Sequence, residues 1–270
     1  MCLILLAWRA HPDYPLIFAG NRDEHYARPS APADFWQDDP AIFGGRDLEK
    51  GGTWLGMTRG GRFAAVTNYR DGPAARPSER SRGALTADYL RGQAAPGRYL
   101  ESIAPDAAHY AGFTLLAGDA DRLLALSNRG GGLVELTAGV HGLSNHLLDT
   151  PWPKVTRGKE RVSALLDAAE THLLRGLFDA LADRETAPDP ELPDTGVGLQ
   201  RERELSPAFI AGERYGTRSS TVVLVGRNRQ VIFEERRFGP GGAALGETIR
   251  RFPVQVRTGD RVTKEGGQVV

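Results

Sequence analysis

The chain has 270 residues, 40% of them apolar and 25% charged, as in a globular protein able to bury a real core. Its 34 basic and 34 acidic residues cancel, which argues against a whole-protein electrostatic footprint for nucleic acid or an anionic membrane. Its one cysteine, Cys2, excludes an intrachain disulfide and a four-cysteine zinc site, so a reducing, cytoplasmic setting is expected. No stretch approaches the ~20 apolar residues of a membrane-spanning helix. The first residues, MCLILLAWRA, lack a preceding basic residue and a small-residue cleavage pattern, so they read as a strand rather than a signal peptide.

In chain order, residues 2–8 and 16–19 are apolar runs joined by a Pro/Asp-rich turn, a pattern that predicts a buried hairpin. Gly20 is expected to end the second strand, leaving residues 21–24 (NRDE) as a polar loop. Residues 28–33, with two prolines, read as irregular. Residues 51–58 and 62–68 predict a strand pair around Gly60-Gly61. Residues 71–81 read as an exposed loop, and a helix follows from Ser81 with Leu85, Tyr89 and Leu90 on one face. Strands are predicted at 113–117, 122–127 and 132–137, with a short extended piece at 140–145. Two helices are predicted at 152–169 and 172–182, a solvated loop at 185–194, and a closing hairpin from 217–225 and 230–236. This order, without β-α-β alternation, is α+β in a single domain spanning residues 1–270.

Met1-Cys2 carries the first chemical signal. Methionine aminopeptidases remove Met before a small residue, and removal would leave an α-amine and a thiol on one residue. The amine, with a reference pKa of roughly 7.7–8.0, is a base near neutral pH, and the thiol can attack a carbonyl without a histidine. The plain alternative is that Cys2 is a small apolar residue on a buried strand. A hairpin starting at Cys2 brings residues 20–23 back beside it. There a carboxylate can orient the amine, and a guanidinium can lower the thiol pKa or receive an anionic group. Residues 21–24 read equally well as an exposed, self-paired loop. The six histidines lack metal-site spacing. Arg76, Arg80 and Arg82 form a local basic patch, read as a solvated loop or as a contact for an anionic tail.

Asn21-Arg22-Asp23-Glu24, followed by Tyr26-Ala27-Arg28-Pro29, resembles the signature of the NRDE family, also called the transport and Golgi organisation 2 family. Further matching stretches are Asp34-Phe35-Trp36, Gly51 to Gly56, Thr67-Asn68-Tyr69, Gly142 to Asn145, Thr150-Pro151-Trp152 and Tyr215 to Arg218. The resemblance implies a relative of the N-terminal-nucleophile (Ntn) hydrolases, a four-layer αββα sandwich of two mainly antiparallel sheets covered by helices. Within that fold it is similar to the choloylglycine hydrolase and penicillin V acylase group, which begin Met-Cys and carry Arg-Asn-x-Asp on the second strand. Asn21 and Asp23 match that stretch. Gly20 replaces its arginine, and strand alternation is expected to turn Arg22 to the opposite face.

By this resemblance Cys2 is the nucleophile, and Asp23, Asn68, Asn145 and Arg218 join it as catalytic residues. Asn68 and Asn145 are expected to provide the oxyanion donors, although each also reads as a strand-end turn residue. Asp23 is the expected partner of Arg218. Asn21, Arg22 and His146 are assigned to substrate binding, and no metal site is assigned. Two functions compete. One is hydrolysis of a small-molecule amide or thioester, needing no cofactor. The other, implied by the family, is non-catalytic binding of haem, or of a lipid or acyl-CoA, with Cys2, His25 or His146 as iron ligands. A Cys2–His146 or Cys2–His25 dyad is a further alternative.

Overall fold

The computed structural model describes residues 2–72 and 80–255. Most of the loop expected at 71–81, with Arg76, lies outside the described residues. Among the described residues are thirteen strands and five α-helices. The first sheet contains β1 (Cys2–Trp8), β2 (Leu16–His25), β10 (Gly139–Leu143), β11 (Tyr215–Val225), β12 (Gln230–Phe238) and β13 (Ala244–Pro253), in the spatial order β10-β1-β2-β11-β12-β13. The second contains β3 (Ser30–Phe35), β4 (Ile42–Asp47), β5 (Leu55–Thr58), β6 (Phe63–Asn68), β7 (Phe113–Gly118), β8 (Leu123–Ser127) and β9 (Leu133–Glu135), adjacent in chain order. Every pairing between these strands is antiparallel.

The continuous apolar run of β1 follows from burial on both faces, because successive side chains alternate. Ile4, Leu6 and Trp8 join Phe18, Phe43, Phe63 and Phe233 in the core between the sheets. Leu3, Leu5 and Ala7 face the other way, against α3 (Pro153–Ser163) and α4 (Glu170–Leu181). The outer face of the second sheet, with Ala64, Val66 and Leu115, packs against α1 (Arg82–Arg91) and α2 (Pro96–Ile103). These three cores define four layers, αββα. Prolines at the first positions of α2 and α3 set their starts, since proline lacks only an N–H that has no intrahelical partner there.

Three differences from the sequence reading matter for the site. β2 does not stop at Gly20 but continues through Asn21-Arg22-Asp23-Glu24 to His25, because β11 pairs along that whole length. Residues 28–33, read as irregular, belong from Ser30 onward to edge strand β3, where Pro32 removes no bond from a central ladder. β4, β13, α2 and α5 (Leu199–Leu205) were unassigned from sequence, and the first long helix ends at Ser163.

Phe43 links the two sheets, with its ring 4.9 Å from both Phe35 and Phe233, and it is fully buried. Phe43→Ala is expected to cost about 3–5 kcal/mol of unfolding free energy in urea, from lost transfer energy and the cavity left behind. A loss below about 1 kcal/mol would mean the sheets do not depend on this contact.

Candidate active site at the mouth of the sandwich

Antiparallel register fixes the site. Cys2 lies opposite Arg22, Arg22 opposite Ser219, Ser219 opposite Arg237, and Arg237 opposite Gly246. Residues paired in this way share a face, so one row runs across five strands on the side turned to the second sheet. Where the sheets part, the row floors a cleft of about 240 Å³, lined also by Trp54, Asn68 and Arg82 from the opposite side.

This register corrects the expectation for Arg22. Gly20 and Arg22 are two residues apart on one strand and therefore share a face. Gly20 has no room for a side chain, since a Cβ there would lie 2.8 Å from the Phe18 ring and 3.0 Å from the Leu3 carbonyl oxygen. Arg22, directly across from Cys2, carries the guanidinium instead. Burial is the largest influence on the Cys2 thiol and raises its pKa, and the Asp23 carboxylate adds to that rise. Arg22 and the nearby Asp23 backbone N–H act in the opposite direction. Arg82, at the start of α1, donates to the Gly112 carbonyl at 3.0 Å. Burial lowers its pKa, and the Cys2 thiolate is the largest influence opposing that shift.

Asn21 and Asp23 turn to the helix layer. Asn21 is fully buried and donates to the carbonyls of Leu181 and Ala208, both at 2.8 Å, while its Oδ1 accepts from the Ser220 hydroxyl at 2.6 Å. It ties β2 to its surroundings and is not among the residues lining the cleft. Asp23 accepts from the Thr217 hydroxyl at 2.7 Å. Burial raises its pKa, while Lys154 and Thr217 lower it. Arg218 does not pair with Asp23. It lies at the bulge between Thr217 and Ser219 and donates to the carbonyls of His25 and Arg28.

The two asparagines do meet. Asn145 is buried with φ 56°, a left-handed conformation that asparagine tolerates. Its Nδ2 donates to the Asn68 carbonyl at 3.1 Å, and the adjoining Ser144 hydroxyl donates to the Cys2 carbonyl at 3.2 Å. Asn68 lines the cleft, and the Asn145 side chain adjoins it through its bond to the Asn68 carbonyl. His146 is drawn elsewhere: Nε2 contacts the Tyr69 hydroxyl at 2.6 Å and Nδ1 the Thr150 hydroxyl at 2.8 Å. Burial lowers its pKa. His25 packs edge-on against Tyr215. Neither histidine lines the cleft with Cys2.

Sequence reasoning missed Lys154. It is 3% exposed, and its ammonium donates to the Leu205 carbonyl at 2.8 Å. Burial brings its pKa down to about 8, against the opposing pull of Asp23 and of Cys2. The Trp-Pro-Lys start of α3 announces a helix, but nothing in the sequence shows that this lysine points inward. Arg70 and Glu202 form a buried ion pair in the same layer.

Folding is therefore linked to Lys154. Between about pH 8 and 10.5 the unfolded chain holds a proton that the folded chain releases, so this residue makes stability rise with pH across that window. Lys154→Met should remove the rise, seen as a pH-dependent stability difference between the two proteins in urea unfolding. A difference that stays flat from pH 7 to 10.5 would contradict the assigned burial.

A family model described as Transport and Golgi organisation 2 matches residues 1–240. The mouse Transport and Golgi organization 2 homolog is 36% identical over 256 residues, covering 87% of this chain and 92% of its own length. The human Transport and Golgi organization protein 2 homolog is 37% identical over 257 residues, with the same coverage. Among solved structures, a C2A mutant of conjugated bile acid hydrolase from Clostridium perfringens superposes with TM-score 0.50 at 9% identity, covering 94% of this chain and 92% of its own. That likeness shows a shared Ntn-hydrolase fold. By the family match and by its relatives, this chain belongs to the Transport and Golgi organisation 2 family.

Proposed function

We propose that this protein is a cysteine Ntn hydrolase that cleaves an amide or thioester, with Cys2 as nucleophile once Met1 is removed. The observation that carries this reading is the placement of Cys2 on the floor of the cleft, at the end of a buried strand and directly across from Arg22. The freed α-amine takes the thiol proton as sulfur attacks the carbonyl carbon. Asn145 spends one amide hydrogen on the Asn68 carbonyl. Its second amide hydrogen and the Asn68 amide are the donors suited to the developing oxyanion. The C–N or C–S bond then breaks, the leaving group takes the proton from the amine, and water releases the acyl group from sulfur. Asp23 and Lys154, beneath the strand, set the charge around the amine.

A haem-binding reading draws less support from this cleft. About 240 Å³ is below the usual 300–1,000 Å³ of small-molecule pockets, and among the described residues Cys2 is the only thiol or imidazole on its lining. Haem titration tests it: no Soret shift is expected, and a shift abolished by Cys2→Ala would favour thiolate ligation instead.

Mass spectrometry of the processed chain after incubation with amide and thioester donors tests hydrolysis. An acyl adduct on Cys2 is expected, lost in Cys2→Ala. No adduct from either donor class would overturn the reading. Asn145→Ala should slow acylation by about 10²–10³-fold, as loss of one oxyanion donor does elsewhere.

A further inference from the structure

The cleft holds more positive charge than the chemistry at Cys2 uses. Arg28 is committed to Asp47 at 2.7 Å and Arg46 to Asp38 at 2.5 Å. Arg218 is anchored on backbone carbonyls. Arg237 is different. Among the described residues it forms no ion pair, and its buried Nε has no hydrogen-bond partner. Among these residues its terminal nitrogens form no hydrogen bond either, and with Arg237 on the cleft lining they are the donors a ligand can reach.

Its surroundings are built to leave it available. Gly246 lies directly across from Arg237, with φ +128°, and a Cβ there would come within 3.0 Å of the Arg237 Nη2. The glycine thus leaves room for the guanidinium to lie over the edge strand. Glu235, two residues back on the same face, accepts from the Ala33 backbone N–H at 2.9 Å rather than from Arg237. Burial raises its pKa, which weakens the negative charge it would set against an anion.

We infer that Arg237 is an anion subsite and that the substrate is elongated, with an oxyanionic group (carboxylate, sulfonate or phosphate) at the end remote from its reacting carbonyl. The spacing follows from the row. Arg237 lies three strands from Cys2, roughly 14 Å between Cα atoms at the usual strand separation. Ser219 and Arg22 fill the positions between them. A substrate laid along the row would meet the nucleophile at one end and the free guanidinium at the other. The substrate role rests on the hydrolase reading; the anion subsite itself does not.

Calorimetry of the full chain with pyrophosphate and with succinate, at fixed ionic strength, tests the subsite. Saturable binding of at least one probe is expected. Arg237→Gln should weaken it by about tenfold, the scale of a lost charge-assisted hydrogen bond. Arg122→Gln, a surface arginine bonded to Glu135, should leave it unchanged. Tighter pyrophosphate binding points to a phosphate-bearing substrate, and tighter succinate binding to a carboxylate-bearing one. Should Arg237→Gln fail to fold, Arg237→Lys keeps the charge but loses the fork and is expected to weaken binding severalfold. No saturable binding by the unaltered protein, or unchanged affinity in the folded Arg237 variant, overturns the proposal. Cys2→Ala should retain probe binding, so a failure of hydrolysis and a failure of this subsite are told apart.

Discussion

The site depends on the register between β1 and β2. Because β1 is buried on both faces, Leu3, Leu5 and Ala7 are held by the helix layer while Ile4, Leu6 and Trp8 fill the space between the sheets. A slip of one residue would exchange those two sets and turn Cys2 toward the helices. Several kcal/mol of apolar burial thereby hold one thiol at the mouth of the sandwich. Continued pairing of β2 with β11 past Gly20 extends the same constraint to Arg22, Ser219 and Arg237. A packing requirement in the core becomes a line of chemical groups at the edge.

Charge is divided between the two faces of that sheet. The helix side holds Asp23, Lys154 and the Arg70–Glu202 pair, all buried, with their carboxylates and cations close enough to moderate one another. Removing one member of such a set leaves its partner uncompensated, which costs more than the intact set contributes. The cleft side is less buried and carries guanidiniums, some tied to carboxylates at the rim and some not. Cys2 stands between these fields. Burial makes its thiolate unfavourable, and Arg22 beside it partly offsets that.

The fold was legible where apolar periodicity was strong. The opening hairpin, the strands around residues 63–68 and 113–127, the closing hairpin and the helices near 82 and 153 all follow from it. Legibility failed where polar residues are satisfied by distant parts of the chain. Asn21-Arg22-Asp23-Glu24 looks like a loop because its partners, Ser220, Thr217 and the Leu181 and Ala208 carbonyls, lie more than 150 positions away in sequence. β13 is an edge strand whose charged, exposed residues carry no apolar alternation. For the site, Cys2, Asp23 and Asn68, singled out from sequence, all border one cleft. Asn21 and His146 proved to be bonded elsewhere, and the inward turn of Lys154, Arg82 and Arg237 is a tertiary fact that no local pattern encodes.

The proposed chemistry requires an α-amine on Cys2. The intact mass of the protein isolated from its own host therefore tests the account most directly. A chain beginning at Cys2 is the predicted result. A chain that retains Met1 throughout would leave the thiol without its base and contradict the proposed mechanism.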